Sequence, residues 1–239
     1  MRKIFAVIIG VLIISIGFLT VFLYHYNQKP LTILLFFDID NKQNLPQWCD
    51  DLEYSLKKQN IHATIFVTGK IAEEYPSCIN NLVKQNDVGS LTYDYFNLTE
   101  GDYATQLDEI KHGKDVIDEI GHVDSKLFKA PYGNTDDDTY DALNQSEIIA
   151  DFSHNTQYYK FYNGAFLKFD DIAYDGALHT ADFFQNLSTY EPVIVDFNNT
   201  IPVTNIDQFI SQLKTGNILL QNASQLVGTD LTVQKEQSP

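Results

Sequence analysis

The stretch "HATIFVTGKIAEEYP", His62 to Pro76, reads as a strand that turns directly into a helix. His62 to Val67 is apolar and β-branched after its first polar residue, which suits a strand. Ile71, Ala72, Tyr75, Cys78, Ile79, Leu82 and Val83 then recur at helical spacing, which predicts one helix through this stretch. Upstream, "LTILLFFD" (Leu31 to Asp38) is an almost unbroken apolar run, as expected of a strand buried on both faces of a parallel sheet. Asn44 and Pro46 supply an N-cap and an early helical proline, and Leu45, Trp48, Cys49, Leu52 and Leu56 follow at helical spacing.

The alternation continues downstream. Short strands are predicted at Val88–Leu91, Leu127–Lys129, Ile148–Ser153, Pro192–Phe197 and Asn217–Asn222. Helices are predicted over Tyr103–Ile120, Asp136–Leu143 and the Ile206–Leu213 region. Strand and helix in alternation imply parallel βα units, in an open doubly wound sheet or a barrel. No internal repeat or linker interrupts them. The domain is therefore expected to span 31–222, followed by a polar tail over 223–239 whose last stretch, "VQKEQSP" (233–239), is expected to fray.

Residues 1–30 differ in kind. Ile4 to Tyr24 is uncharged and long enough to cross a bilayer as a helix. Arg2 and Lys3 precede it, so the expected topology is a single-pass anchor with a cytoplasmic N-terminus and an exported domain. A cleaved signal peptide is the rival, but the apolar run is long for one and no A-x-A-like site follows. The chain carries 32 Asp and Glu against 16 Lys and Arg, and its only arginine is Arg2. Such a surface does not suit nucleic acid, which needs cationic groups to neutralise phosphates. Outside the cell Cys49 and Cys78 can oxidise. Their helices follow consecutive strands and should pack side by side, so a disulfide is expected, with two buried thiols as the alternative.

Five short pieces, taken in order, resemble the polysaccharide deacetylase family, whose domain is also called the NodB-homology domain. They are "FFDIDN" (36–41), "HATIFVTGKIAEEYP" (62–76), "VGSLTYDYFNLTE" (88–100), "FKAPYG" (128–133) and "GNILLQN" (216–222). The resemblance implies an α/β fold, a distorted (β/α) barrel with its site at the strand C-termini. It also implies hydrolysis of acetyl groups on polysaccharide, with a divalent metal such as zinc held by one Asp and two His. Carried over by position, the base falls on Asp38, which is retained. The metal-ligand positions fall on Ile39, Leu91 and Tyr95, the arginine of the third motif on Lys129, and the acid histidine on Gln221. Isoleucine and leucine have no donor atom, and a phenol with a reference pKa of about 10 is a poor ligand at neutral pH. No cofactor is therefore expected.

The remaining groove candidates are Tyr95, Lys129, Tyr132 and Gln221. Asp38, Asp40, Asp94, Asp151 and His154 lie near strand ends and offer ligands for a rebuilt metal site, although Asp40 is expected to point away from Asp38's neighbours. Asp136 to Asp138 and Asp170–Asp171 read as capping or loop acids, and His62 as a surface or satisfied histidine. Tyr158, Tyr159, Phe161 and Tyr162 form an aromatic cluster suited to packing or to stacking on sugars. Sequons begin at Asn97, Asn144, Asn186, Asn198 and Asn222. The expected function is an anchored, extracytoplasmic, catalytically inactive deacetylase-like domain that binds glycan or an envelope protein. An active carbohydrate deacetylase built on Asp38 and a structural subunit of a membrane complex are the alternatives.

Overall fold

The computed structural model describes residues 29–153, 159–160, 166–167, 170–173 and 192–235. The proposed anchor, His154, Asn186 and the side chains of the 158–162 aromatic cluster and of Asp170 and Asp171 lie outside the described residues. Within the described part, no helix is long and apolar enough to cross a membrane.

Strand β1 (Leu31–Ile39) lies at the centre of a curled, open sheet with strand order β6-β5-β3-β2-β1-β10-β9. The other strands of that path are β2 (Thr64–Val67), β3 (Asp87–Ser90), β5 (Leu127–Phe128), β6 (Ala150–Asp151), β9 (Asp170–Ala173) and β10 (Val193–Asn198). All their pairings are parallel. The α/β class expected from the sequence is present, and among the described residues the sheet forms a curled half-barrel. β11 (Ile218–Gln221) pairs with the first residues of β1, on the side where β2 takes its last ones.

Side-chain alternation along β1 divides the core. Ile33, Leu35, Phe37 and Ile39 join the cluster under the helices, while Leu34 and Phe36 join the concave cluster with Phe66, Leu91, Phe152 and Ile194. Both sets are almost fully buried, as the unbroken apolar run predicts. The helices over the first cluster include α1 (Leu45–Gln59) and α6 (Val203–Leu213).

The predicted single helix after β2 is two, α2 (Gly69–Glu74) and α3 (Pro76–Leu82). Pro76 has no N–H to donate, and it pushes Tyr75 to φ −129°, ψ 58°, out of the helical region. Cys49 on α1 and Cys78 on α3 form a disulfide with Cα atoms 5.5 Å apart. Asp136 caps α5 (Asp137–Gln145) through a reciprocal box with Thr139, in line with its reading as a capping acid.

Residues 223–235 are more than a polar tail, and residues 236–239 lie outside the described residues. After α4 (Tyr103–Gly121) and β4 (Val123–Ser125), the chain returns at its end through α7 (Ala223–Val227) and β12 (Thr232–Gln234). β12 pairs antiparallel with β4. Ala223, Leu231 and Thr232 are buried, and Asp87 accepts hydrogen bonds from the Ser224 backbone N–H and Oγ. A few apolar contacts and one buried carboxylate order a segment whose composition alone reads as polar.

Candidate functional site

Asp38 is the last concave-facing position of β1 and sits in register with Phe66 of β2 and Asn198 of β10. Lys129 follows directly on β5, its backbone N–H bonded to the Ser90 carbonyl. Its side chain is 2% exposed, and its Nζ lies 2.8 Å from Asp38 Oδ2 and 2.9 Å from Asp196 Oδ1. Asp196 has the same inward parity on β10 as Ile194. The ammonium also lies 5.8 Å from the centre of the Phe66 ring. Burial alone would push the Lys129 pKa down. The carboxylates of Asp196 and Asp38 outweigh that and hold it well above its usual value. The lysine is thus a fixed cation between two acids at the mouth of the half-barrel.

Two tyrosines cover this mouth. Tyr95 is half-buried and meets Tyr132 edge-on, with ring centres 5.2 Å apart. Tyr132 is 63% exposed. Both have left-handed backbones, at φ 57° and 58°, as does Thr92 at 65°. Non-glycine residues pay roughly 1 kcal/mol each for that conformation, and such residues gather at ligand sites. The Thr92 loop is held by helix contact, since a Cβ on Gly113 of α4 would stand 2.5 Å from the Thr92 carbonyl carbon. Burial, then the charges of Asp40 and Asp38, push the Tyr95 phenol above its ordinary pKa. It is therefore a neutral hydroxyl at neutral pH.

Beneath the third-motif turn, Asp151 accepts from Ser153 N–H and Oγ, and Ser153 Oγ accepts from Ala130 N–H. Burial raises the Asp151 pKa to about 6, against the opposing effect of the Ser153 hydrogen bonds.

The three metal-ligand positions do not converge. Leu91 is part of the concave cluster and Tyr95 packs against it, but Ile39 belongs to the helix-covered cluster. Gln221 is also displaced. It pairs with Leu34, four residues before Asp38, or about 13 Å along the strand. Its assignment to the same groove is corrected accordingly. Asp40 departs from expectation in the other direction. It accepts a hydrogen bond from Asn198 Nδ2 at 2.8 Å, and its charge acts on Tyr95. It therefore stands among Asp38's neighbours, because alternation returns it to Asp38's side. Asp94 is exposed and engaged by Lys70. His62 Nδ1 meets the Gln85 carbonyl, as a satisfied histidine would.

Among the described residues no group of three His, Cys, Asp or Glu is placed to hold a metal ion. The donor set at the matched positions does not fit the family's metal either, since Ile39 and Leu91 have no lone pair to give and the Tyr95 phenol keeps its proton.

Asp196 was missed in the sequence reading. Its signal was there, a carboxylate in the middle of the apolar run "PVIVDF". A charge in a buried strand requires a partner. Asn198 and Asn199 were missed as well. Asn199 is 3% exposed and accepts from Asn41 N–H while donating to the Asn41 carbonyl, which ties the loop after β1 to β10. Of the sequon asparagines among the described residues, Asn97, Asn198 and Asn222 have bonded side chains, while Asn144 is exposed.

The sequence model described as polysaccharide deacetylase matches residues 25–150, just over half of the chain. The peptidoglycan-N-acetylmuramic acid deacetylase PdaC of Bacillus subtilis is 33% identical over 113 residues, covering 47% of this chain and 23% of that protein. The matched part is thus under a quarter of that relative's length. Among solved structures, the Bc1960 peptidoglycan N-acetylglucosamine deacetylase superposes with a TM-score of 0.65 at 16% identity, over 85% of this chain and 91% of that one. BA3943 of Bacillus anthracis, described as a CE4 family pseudoenzyme, does so with a TM-score of 0.62 at 15% identity, over 83% and 66%. A mutant of that protein has restored enzymatic activity. At these identities the superpositions establish a shared fold.

Proposed function

The chain belongs to the polysaccharide deacetylase family, and from that premise we propose that it is a member with a vacated catalytic centre, used to bind glycan at the cell envelope. The domain acts outside the cytoplasm, tethered by Ile4–Tyr24. Its relatives include both active peptidoglycan deacetylases and a pseudoenzyme. The observation that carries the reading is the Lys129 ammonium clamped between Asp38 and Asp196. In a deacetylase of this kind a metal polarises the acetyl carbonyl and lowers the pKa of its water. Here the residues at the ligand positions cannot hold one, and the Lys129 ammonium lies between the two carboxylates. Asp38 alone as a base contributes typically 10²–10⁴-fold, while water without a metal keeps its bulk pKa of about 16. That is too little for an amide. What persists is an acid-lined groove with two tyrosines at its rim, apolar faces beside hydroxyls, a chemistry that suits sugar rings.

The test is metal analysis of the purified full-length chain, together with turnover of an acetylated chito-oligosaccharide. We expect no stoichiometric zinc and no release of acetate above the buffer rate, with glycan binding that weakens in Tyr132→Ala. One metal per chain, lost on Asp38→Ala, would overturn the proposal in favour of an active hydrolase. Because Ile39 faces the helices, Leu91→His with Tyr95→His should not create a zinc site, and adding Ile39→Asp should place a carboxylate in the apolar cluster instead of in the groove.

A further inference from the structure

A second cavity, of about 330 Å³, opens between the loops that follow β1 and β10, beside the N-terminal ends of α1 and α6. It lies at the C-terminal ends of the parallel strands, where βα loops build sites in barrel folds. Its volume falls within the range that holds small ligands. Asn44, Gln47, Thr200 and Thr204 line it beside Trp48, and among the described residues no lysine, arginine or histidine is in its wall. Asp51, the one carboxylate among the described residues of the wall, accepts from Gln47 Nε2 at 2.8 Å. This composition disfavours anions, which need a cation. Amides and hydroxyls both donate and accept, as do the hydroxyls of a sugar.

The cavity is also preformed. Asn199 ties one loop to the other, and Trp48 Nε1 donates to the Ile201 carbonyl at 2.8 Å. Asn44 occupies the N-cap position of α1 with φ 54° and makes no capping bond with its side chain, so its amide is not committed to the helix. A site whose loops are fixed before binding loses little freedom on binding. Asn41 lines the cavity and adjoins Asp40, whose charge reaches Tyr95, so the cavity and the groove are neighbours.

We infer that this cavity binds one neutral sugar unit of the glycan whose chain crosses the groove. The inference rests on the glycan-binding reading and adds a second contact point to it. Trp48 is the only tryptophan of the chain, so tryptophan emission arises at the wall of this cavity. Acetylated chitotetraose, titrated into the full-length protein, should shift the Trp48 emission saturably. Gln47→Ala and Thr204→Ala, both at exposed positions, should each weaken binding by up to about tenfold, the worth of one hydrogen bond. Suppose calorimetry detects binding that is sensitive to Tyr132→Ala, while Trp48 stays silent and both cavity variants bind normally. The cavity proposal is then wrong and the glycan reading stands. Absence of any heat or emission change with chitotetraose, and with peptidoglycan glycan strands, would remove both.

Discussion

Ile33, Leu35, Phe37 and Ile39 turn toward the helices, whereas Leu34, Phe36 and Asp38 turn to the concave side, and the two faces of one strand are held by different physics. Under the helices, stabilisation is spread over many apolar contacts and one disulfide. Hydrophobic burial is non-directional, so sequence can drift while volume and pattern are kept. At the concave mouth it is concentrated in one ammonium between two carboxylates. Such a cluster depends on each partner, because removing one takes a close opposite charge from buried groups. This contrast explains how the chain retains the family fold at low identity while two of its three ligand positions, Ile39 and Leu91, hold aliphatic side chains.

The sharpest way to break the comparison is at Lys129. Replacement by Met keeps much of the buried stem but removes the ammonium that lies between Asp38 and Asp196. We expect a loss of about 3–5 kcal/mol in stability at neutral pH, read by chemical denaturation. The deficit should shrink as pH falls and the carboxylates take up protons. A loss below about 1 kcal/mol would mean that the concave face is not held by this lysine.

On the helix-covered face the corresponding probe is the disulfide. Cys49→Ser with Cys78→Ser opens a loop with a sequence separation of 29 residues, worth about 3.6 kcal/mol by the loop-entropy relation. The cost should be the same at pH 5 and pH 7, because no titrating group is involved. Alkylation without reduction should find no free thiol in the wild-type chain.

The smallest expected effect lies beneath the turn that carries Lys129. A buried carboxyl with its folded pKa raised to about 6 holds its proton more tightly folded than unfolded. Its contribution to stability is therefore present below about pH 4 and is lost as pH rises through about 6. Asp151→Asn keeps the oxygen that accepts from Ser153 and removes the titration. Between pH 4 and pH 6 the wild type should lose up to roughly 2–3 kcal/mol relative to this variant. Parallel pH profiles for the two proteins would refute the assignment.

Much of the fold was legible because it rests on local pattern. The apolar run of β1, the strand at Thr64–Val67 and the helical spacing of α1 and α4 all follow from side-chain periodicity. The helix break at Tyr75 was encoded in Pro76 and overlooked. The ordered C-terminal segment was not legible, because its pairing with β4 and the bond from Ser224 to Asp87 join residues more than a hundred positions apart. At the site, Asp38, Lys129, Tyr95 and Tyr132 were named from sequence position, and the structure brings them to one mouth.

By itself the sequence determined the parallel βα architecture, the absence of donor atoms at Ile39 and Leu91, and the supply of carboxylates near the strand ends. These are properties of residue type and spacing, which each short stretch carries alone. Only the tertiary structure decided that Ile39 faces the helices, that Gln221 stops about 13 Å short of Asp38, and that Lys129 meets Asp196 as well as Asp38. Strand register and the curl of the sheet set those meetings, and both arise from pairing between distant segments that no local pattern specifies.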